Sequence, residues 1–309
     1  MRIIRSAAAS VHVNLAWEEW LLDRFDQDGP ALFFCVNDPA VVLGKNQNPW
    51  RETDPLALGQ EDVALARRVS GGGTVYHDQG NLNYSLIMSR HDYRQEGVFR
   101  QVISTLLGLG IPAELMAGNG LSAHGRKFSG SAFCYRGSGV LHHGTLLVQT
   151  DLPRLRRCMK AALPDIETRA IASKPASVVN LAEVKPGLTV DILQRALALE
   201  LGGTEFGEPS QPPTSDFAWQ ALLQRNQSWE WNLGYTPGFT WTETAPGSTL
   251  RLHVEHGMVQ RAELTRDSST ENLAGLIGCR FTTRELVEAL IEDVPGERSL
   301  IGCLKAREF

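Results

Sequence analysis

The sequence has few cysteines, no long apolar run and no concentration of basic charge. Its five cysteines are scattered without C-x-x-C spacing, which indicates reduced thiols rather than a disulfide framework. No apolar run approaches the length of a membrane span, and the first residues lack the apolar core of a signal peptide. We therefore predict a cytoplasmic protein with no membrane partner. The net charge of -5 comes without a basic stripe, which argues against nucleic acid as a partner.

The length and composition are sufficient for more than one folded unit. A chain of 309 residues predicts about two domains, and a hydrophobic content of 42% supports a sizeable core. Residues 202–215 are rich in Gly, Pro, Ser and Thr, which is typical of a loop or linker. The pattern of apolar residues along the chain changes after Trp231. We predict a catalytic domain at residues 1–232, a small α+β accessory domain at residues 233–309, and a monomer.

Apolar periodicity predicts the main helices and strands. Asn14 is placed to cap a helix that runs to Asp23. Two short apolar runs, 31–36 and 40–43, flank the turn residues 37–39, so we predict a hairpin. Further strands are predicted at 63–68, 82–88 and 140–148, further helices at 98–109, 152–163, 190–201 and 283–291, and a second hairpin at 250–254 and 259–264.

Two glycine-rich motifs carry the groups needed to hold an anion. The first is RRVSGGGTVYHD at 67–78, and the second is GRKFSGSA at 125–132, followed by HHGT at 142–145. Consecutive glycines let the backbone wrap a ligand because no Cβ blocks its approach. Their amides can then form a nest of donors for phosphate oxygens, with arginine and lysine supplying the countercharge. The pair of motifs indicates an enzyme that handles a nucleotide phosphate.

Lys127 is the strongest single candidate in the second motif. A lysine is more often a solvated surface charge than a functional group. Here its neighbours Ser129, Gly130 and Ser131 are small, so a substrate can lie close to it. A lysine in that place can neutralise a carboxylate or an α-phosphate.

Two other candidates in this region have simpler explanations. Adjacent residues of a strand point to opposite faces, so His142 and His143 are not expected to ligate one metal ion. The simpler expectation is that one is buried and hydrogen-bonded and the other exposed, with one histidine lining the site, and we assign no metal ligands. Cys134 lies between Phe133 and Tyr135, which favours a packing role over a nucleophilic one.

Taken in order, these motifs resemble those of the lipoate–protein ligase A family, and the resemblance covers nearly the whole chain. The segments that carry it are NLA at 14–16, EE at 18–19, GKNQNPW at 44–50, RVSGGG at 68–73, HD at 77–78, GN at 80–81, K at 127, SGSA at 129–132, HHGTLL at 142–147, VVNL at 178–181 and WEWN at 229–232. The resemblance implies an α+β fold. Its catalytic domain would be a large mixed-sheet domain of the biotin/lipoate-ligase type, joined to a small α+β C-terminal accessory domain.

The resemblance also implies a reaction and its partners. Family members use ATP and Mg²⁺ to activate lipoate as lipoyl-AMP, with release of pyrophosphate. They then transfer the lipoyl group to a specific lysine of a lipoyl-domain acceptor, either the E2 subunit of a 2-oxoacid dehydrogenase or the glycine-cleavage H protein. We expect the same substrates and acceptors here.

The residue roles follow from that chemistry. Lys127 and Arg68 are the predicted catalytic residues, because charge builds on phosphate oxygens when the acyl carboxylate attacks the α-phosphate. Asp78 is the one candidate for the base that deprotonates the acceptor lysine. The apolar slot for the acyl chain is expected near Val42, Leu43 and Val75. The predicted ATP- and lipoyl-AMP-binding residues are Ser70, Gly71, Gly72, Gly73, His77, Asp78, Asn81, Ser129, Gly130, His143 and Thr145.

One departure from the family pattern keeps alternatives open. The family commonly has Asp directly after the position of Asn119, where this chain has Gly120. Because Mg²⁺ is often held by one or two carboxylates plus phosphate, the loss bears on adenylation. A transferase that uses preformed lipoyl-AMP therefore remains an alternative, as does a non-catalytic protein that binds lipoyl domains or lipoate. A transferase working through a cysteine thioester fits poorly, since the sequence has no cysteine between Cys35 and Cys134.

Overall fold

The structure is a computed structural model, and it describes residues 1–163, 165–204, 207–267, 269–294, 296–307 and 309. The strands are β1 Arg2–Arg5, β2 Ala31–Cys35, β3 Ala40–Leu43, β4 Ala64–Arg67, β5 Val75–His77, β6 Asn81–Ser89, β7 Ala113–Met116, β8 Gly120–Ala123, β9 Arg126–Arg136, β10 Gly139–Leu147, β11 Glu167–Thr168, β12 Phe239–Ala245, β13 Ser248–Glu255, β14 Met258–Arg266 and β15 Ser269–Asn272. The helices are α1 Val11–Asp23, α2 Phe25–Asp28, α3 Pro49–Glu52, α4 Pro55–Gln60, α5 Gln95–Gly108, α6 Leu152–Cys158, α7 Leu181–Val184, α8 Val190–Gly202, α9 Phe217–Gln227, α10 Thr283–Asp293 and α11 Arg298–Arg307, with a π turn at Glu230–Gly234 and a 3₁₀ turn at Ala274–Leu276.

The main sheet has seven strands in the order β1-β2-β6-β10-β9-β8-β7, and only its β1–β2 pair is parallel. Side chains alternate across it, so Leu82 and Tyr84 of β6 join the core beneath α5 and α8. Ile87, of opposite parity, packs with Trp17 of α1 on the other face. The mixed α+β architecture predicted from the sequence is confirmed.

A second sheet of three strands, β4-β3-β5, faces the α1 side of the molecule, and it corrects one prediction. Strands β2 and β3 both exist, but they do not form a hairpin. β2 pairs with β1 and β6, whereas β3 pairs with β4 and β5. Both runs are buried along their whole length, without alternation. Strands covered on both faces read as continuous apolar runs, and their pairing partners are set by distant parts of the chain.

The first helix also differs from its prediction. It begins at Val11, with Ser10 as the N-cap, so Asn14 lies inside the helix. The Asn14 side chain is buried and bonds to the carbonyl of Ala8 and to Asn37 instead of capping. Helix α6 ends at Cys158, short of the predicted 163. The other predicted strands and helices are found, with boundaries that differ by a few residues at most.

The C-terminal part is built on the five-stranded antiparallel sheet β11-β12-β13-β14-β15, with α10 and α11 packed beside it. The predicted hairpin of β13 and β14 is confirmed. Its core also takes in residues from earlier in the chain. Trp50 is fully buried against Phe239 and Phe281, and Leu163 packs in the same cluster. In the described part of the chain, no helix is both long and apolar enough to cross a membrane.

Candidate active site

A cavity of about 420 Å³ lies between the α1 side of the main sheet, helix α1 and the three-stranded sheet. That volume falls in the usual range for a small-molecule site. Nine of the predicted site residues line it, and these are Arg68, Gly71, Gly72, Gly73, His77, Lys127, Gly130, His143 and Thr145. Val42 and Val75 line its apolar wall, as predicted for the acyl slot, whereas Leu43 is buried in the small sheet and does not.

Lys127 enters the cavity from β9. Its backbone is fixed by two hydrogen bonds, from Lys127 N to the carbonyl of Ser177 and from Val179 N to the carbonyl of Lys127. The side chain extends along its strand toward Gly130, and Nζ lies 3.5 Å from the place a Cβ would occupy there. Within the described residues Lys127 has no ion-pair partner, and burial lowers its pKa. A half-buried cation without a counterion is suited to an anionic ligand.

Gly120 matters because the stem of Lys127 lies over it. A Cβ at Gly120 would be 3.2 Å from Cε of Lys127. The position that carries Asp in the family pattern is therefore adjacent to the catalytic candidate. With glycine there, the lysine has room for its stem and no carboxylate beside it.

Arg68 organises the triple-glycine loop. Its Nη2 donates to the carbonyls of Gly71 (2.6 Å) and Gly73 (2.8 Å), and its Nη1 donates to the carbonyl of Val42 (3.1 Å). Burial lowers the pKa of this guanidinium to about 10, so it stays charged at neutral pH. The backbone N–H groups of Gly71, Gly72 and Gly73 donate none of the hydrogen bonds among described residues. They are free to donate to a ligand, in agreement with the predicted nest.

A chain of polar side chains connects helix α1 to this loop. Glu18 accepts from Nδ1 of His143 (2.9 Å), and Nε2 of His143 lies 2.6 Å from Oγ of Ser70. Ser70 in turn accepts from Nε of Arg68 (3.0 Å). Ser85 donates to the same carboxylate of Glu18. Ser70 is almost fully buried and lies behind the cavity wall, so it positions Arg68 and His143 rather than facing a ligand.

Besides Ser70, three predicted site residues do not line the cavity, and these are Asp78, Asn81 and Ser129. The carboxylate of Asp78 accepts the N–H groups of Gly80 (2.9 Å) and Asp151 (2.8 Å), which makes it a turn-forming group. Asn81 is fully buried and donates to Asn83 (3.1 Å). Ser129 is buried on the face of β9 opposite to Gly130. Asp78 and Ser129 are each next in sequence to a residue that lines the cavity. Asn81 begins strand β6, which also contributes residues to the cavity wall.

The strand register of the main sheet shows in which direction the cavity extends. Gly130 N donates to Thr145 Oγ1, Thr145 pairs with Asn83, and Asn83 pairs with Cys35. These residues form one row across four neighbouring strands, and each of them lines the cavity. Three strand spacings make the row about 14 Å long. The cavity is thus a slot that runs across the strands from Lys127 to Cys35.

The loop at residues 169–175 covers the slot near the glycine loop, and no sequence motif marks it as part of the site. Ser173 accepts from the amide of Thr74 (2.8 Å) and from Gln47 (3.1 Å), while its own N–H donates to Glu52 (3.1 Å). Lys174 lines the cavity from this loop. A lysine between small residues and a proline has no local pattern that marks it as a site residue. Only the tertiary fold brings it to the glycine loop.

The described residues do not fit a protein-built magnesium site. They contain no cluster of three or more His, Cys, Asp or Glu arranged to hold a metal ion. Glu18 is the single carboxylate among the described residues that line the cavity, and His143 and Ser85 already engage it. Mg²⁺ prefers one or two free carboxylates together with phosphate oxygens.

Gly44 offers a direct test of the loop geometry. A Cβ there would lie 2.1 Å from the carbonyl oxygen of Gly72, a contact that only backbone movement can relieve. We expect Gly44→Ala to displace the glycine loop and to lower activity by about tenfold or more, as misplacement of about 1 Å can do. Steady-state kinetics would measure this, with Gly59→Ala as the control because a Cβ at Gly59 meets nothing within 4 Å. Unchanged activity in Gly44→Ala would show that the loop position is not critical.

Fold and site together define the class: an α+β enzyme in which a glycine loop and a lysine meet an elongated slot. Residues 10–202 match the family model described as the lipoyl protein ligase A/B catalytic domain. The lipoate-protein ligase A of Psychrobacter cryohalolentis is 34% identical over 251 residues, which cover 78% of this chain and 74% of that protein. This chain belongs to the lipoate–protein ligase family, and it is a ligase.

Solved structures agree with this assignment. P. falciparum LipL1 in complex with lipoate has a TM-score of 0.67 at 22% identity, covering 94% of this chain and 93% of that one. A lipoate-protein ligase A bound with ATP has a TM-score of 0.61 at 25% identity, covering 76% and 100%. A bipartite lipoate protein ligase of Thermoplasma acidophilum, described together with its E2 lipoyl domain, has a TM-score of 0.61 at 25% identity, covering 76% and 96%. The first of these likenesses concerns the fold alone.

Proposed function

We propose that this chain uses ATP to convert lipoate into lipoyl-AMP and pyrophosphate, and then transfers the lipoyl group to a lysine of a lipoyl-domain protein. The observation that carries the proposal is the position of Lys127. It is a half-buried cation, without an acidic partner in the described part of the chain, at the junction of the glycine loop and the slot. A carboxylate is a poor acyl donor and must first become a mixed anhydride, and both reacting groups are anions.

The site residues divide this work. Lys127 neutralises the carboxylate and the α-phosphate as they approach, and it then stabilises the charge that builds on the acyl carbonyl during transfer. The free amides of Gly71, Gly72 and Gly73 bind phosphate oxygens. Arg68 contributes by holding the carbonyls of that loop, so its role in this proposal is to position the amides.

The slot accommodates the acyl chain, with Val42 and Val75 as its apolar wall and the row from Gly130 to Cys35 as its floor. The carboxylate lies at the Lys127 end, where the nucleotide meets it. The acceptors in this proposal are the lipoyl domains of 2-oxoacid dehydrogenase E2 subunits and the glycine-cleavage H protein. A relative described with its E2 lipoyl domain supports that class of partner. Mg²⁺ would accompany the phosphates of ATP, with no protein carboxylate assigned to it.

We also propose that residues 1–232 form the catalytic domain and residues 233–309 an accessory domain. The five-stranded sheet and the aromatic core around Phe281 support a separate C-terminal unit. Trp50 and β11 are contributed to that unit from the catalytic side, so the two parts share a core rather than a simple linker.

The test is lipoate-dependent exchange between ATP and pyrophosphate, measured on the purified chain with Mg²⁺ and without any acceptor. Exchange that requires lipoate is the expected result, because it reports reversible formation of lipoyl-AMP. A subsequent assay would follow transfer to a purified lipoyl domain. Exchange that is absent, or independent of lipoate, would contradict the adenylation half of the proposal.

One observation favours a second candidate, a transferase that uses preformed lipoyl-AMP. Gly120 leaves the region of Lys127 without the carboxylate that the family pattern carries there, and no other free carboxylate lines the described cavity. Transfer from supplied lipoyl-AMP without any exchange activity would establish this function. In that case Gly120→Asp is expected to restore exchange, since its carboxylate would stand beside Lys127.

A further inference from the structure

The end of the slot at Cys35 is polar, which is unusual for a site that holds the tail of an acyl chain. Asn83 and Cys35 end the row that starts at Gly130, and three further polar residues, Asn14, Asn37 and His77, line the cavity and are linked to one another by hydrogen bonds, with Asn37 also bonded to Cys35. An alkyl chain that ended there would place its methyl group against amide and imidazole groups. Buried polar groups cost free energy unless a ligand or the protein satisfies them. The polar groups at this end therefore indicate the chemistry of the part of the ligand that binds there.

The orientation of each amide in this group follows from a fixed backbone acceptor. The carbonyl of Ala8 can only accept, so the atom of Asn14 that lies 2.9 Å from it is the donor Nδ2. The same Nδ2 donates to Oδ1 of Asn37 (2.7 Å). On the other side, the amide of Ala8 donates to Ser6 Oγ, and the hydroxyl of Ser6 donates to Oδ1 of Asn14 (2.6 Å). No other assignment satisfies all these contacts.

This orientation fixes the tautomer of His77. Because Oδ1 of Asn37 faces Asn14, the atom of Asn37 that lies 2.9 Å from Nδ1 of His77 is the donor Nδ2. Nδ1 must accept, so it carries no proton, and the single ring proton is on Nε2. Burial, reinforced by the nearby charge of Arg68 and by His143, lowers the pKa of His77 to about 3. The ring is neutral throughout the physiological range.

The remaining proton of His77 has no acceptor in the protein. Nε2 is buried and has no hydrogen-bond partner among the described residues. The ring itself lines the slot, and it lies on the same face of β5 as Val75, which also lines it. A buried donor left unpaired disfavours a ligand that brings no acceptor to this end and favours a ligand that does.

Lipoate and octanoate differ at this end and have the same chain length. Lipoate carries two ring sulfurs, which are weak acceptors, where octanoate carries only methylene and methyl groups. We propose that His77 is a specificity-determining residue, which donates its Nε2 proton to the dithiolane ring and so selects lipoate over octanoate. This inference rests on the proposed function, since it assumes that lipoate occupies the slot with its carboxylate at Lys127.

Cys35 does not turn this recognition into covalent capture. Thiol–disulfide exchange with the dithiolane would need the thiolate. Burial, reinforced by the charge of Glu18, raises the pKa of the Cys35 thiol well above its ordinary value. The Cys35 thiol therefore stays protonated, and the disulfide of the ligand can lie near it intact.

The first experiment compares binding of two acids to three forms of the chain by isothermal titration calorimetry without ATP. The wild type should bind lipoate more tightly than octanoate. His77→Phe keeps a ring of similar size but removes the donor, and it should reduce the preference about tenfold, mainly by weakening lipoate. His77→Gln places an amide donor near the position of Nε2 and should recover part of the preference. A preference unchanged in His77→Phe would overturn the proposal.

Two outcomes in the wild type separate this proposal from the proposed function. If the wild type binds both acids equally well, the role of His77 is wrong while the proposed function stands. If it binds neither acid, the proposed function falls and this inference falls with it.

A second experiment needs no substitution, so it is independent of any effect on folding. Long-range ¹H–¹⁵N correlation spectra of the wild type distinguish protonated from unprotonated ring nitrogens. We expect His77 to have its proton on Nε2, and that resonance to shift on addition of lipoate but not of octanoate. A proton on Nδ1, or equal shifts with the two acids, would overturn the proposal.

Discussion

Lys127→Ala is expected to leave the chain folded and to lower both lipoate-dependent exchange and transfer by about 100- to 1,000-fold, the range seen when one preorganised charge-stabilising donor is removed. The side chain makes no ion pair or hydrogen bond within the described structure, so its loss removes little packing and no partner. Its ammonium group lies in the cavity beside Gly130, where the proposed function has the carboxylate and the phosphate meet. Exchange and transfer kinetics would measure the loss, and circular dichroism would check the fold.

The control for this experiment is Lys185→Ala. Lys185 is exposed and does not line the cavity, so its removal changes the charge equally without touching the site. Near wild-type activity in Lys127→Ala would contradict the assigned role. A loss that is equal in the two variants would indicate a general effect of net charge.

The titration of Lys127 adds a pH signature. Burial lowers its pKa, so the ammonium loses its proton at a lower pH than a free lysine would. Activity is therefore expected to fall as the pH rises through that lowered pKa. Lys127→Arg should lose this alkaline limb, because a guanidinium stays charged there. An identical alkaline limb in both proteins would assign the titration to another group.

The sequence was most informative where the chemistry is local. Three consecutive glycines let the backbone wrap a ligand, and Lys127 is followed closely by the small residues Ser129, Gly130 and Ser131, so both features can be recognised without any distant part of the chain. These features predicted the glycine loop and Lys127, and both line the cavity. The prediction that one of the adjacent histidines is buried and that one of them lines the site also agrees with the structure. His142 is fully buried and His143 faces the slot, because successive residues of a strand point to opposite faces.

The features that could not be predicted from the sequence depend on pairing between distant segments. The hairpin of β2 and β3 was wrong because its local turn residues say nothing about β6 or β4, which pair with those strands instead. Asn14 has the side chain of a cap, and only the position of Ala8 and Asn37 shows that it is used inside the fold. Asn37 itself lies in a turn with no local sign that it orients His77. Each of these depends on segments that are far apart in the sequence.

Arg67 and Arg68 show the same limit between two adjacent residues. Both precede the glycine loop, and both were natural candidates for phosphate countercharge. The structure separates them. Arg68 holds the loop, whereas Arg67, the last residue of β4, is fully buried and faces the segment that leads into the C-terminal part. Sequence position cannot distinguish their roles.

Arg67 makes six hydrogen bonds from its guanidinium, none of them to an acid. Its acceptors are the carbonyls of Gly44, Lys45, Gln47, Trp231 and Asn232 and the hydroxyl of Thr236. Burial lowers its pKa to about 10, so the group remains charged at neutral pH. This single side chain joins the segment before α3 to the segment after α9. Carbonyl groups of both segments point at this one buried guanidinium.

Arg67→Met is therefore expected to lower the free energy of unfolding by about 4 kcal/mol, because several buried carbonyls lose their donor at once and each unpaired group costs about 1–3 kcal/mol before relaxation. Denaturant unfolding followed by tryptophan fluorescence would measure the change, since Trp231 donates to the carbonyl of Arg67 and reports on the same place. The matched control is Arg100→Met. Arg100 is exposed on α5, and we expect a change within about 0.5 kcal/mol there.

Arg67→Lys separates charge from geometry at the same position. A lysine keeps the positive charge but has three donors on one atom, so it cannot reach acceptors on both segments as the planar fork does. We expect it to recover only part of the stability lost in Arg67→Met. Full recovery would mean that the charge alone holds the two segments together. Stability of Arg67→Met within about 1 kcal/mol of the wild type would show that the carbonyls find other donors, and that the C-terminal part is held chiefly by the burial of Trp50.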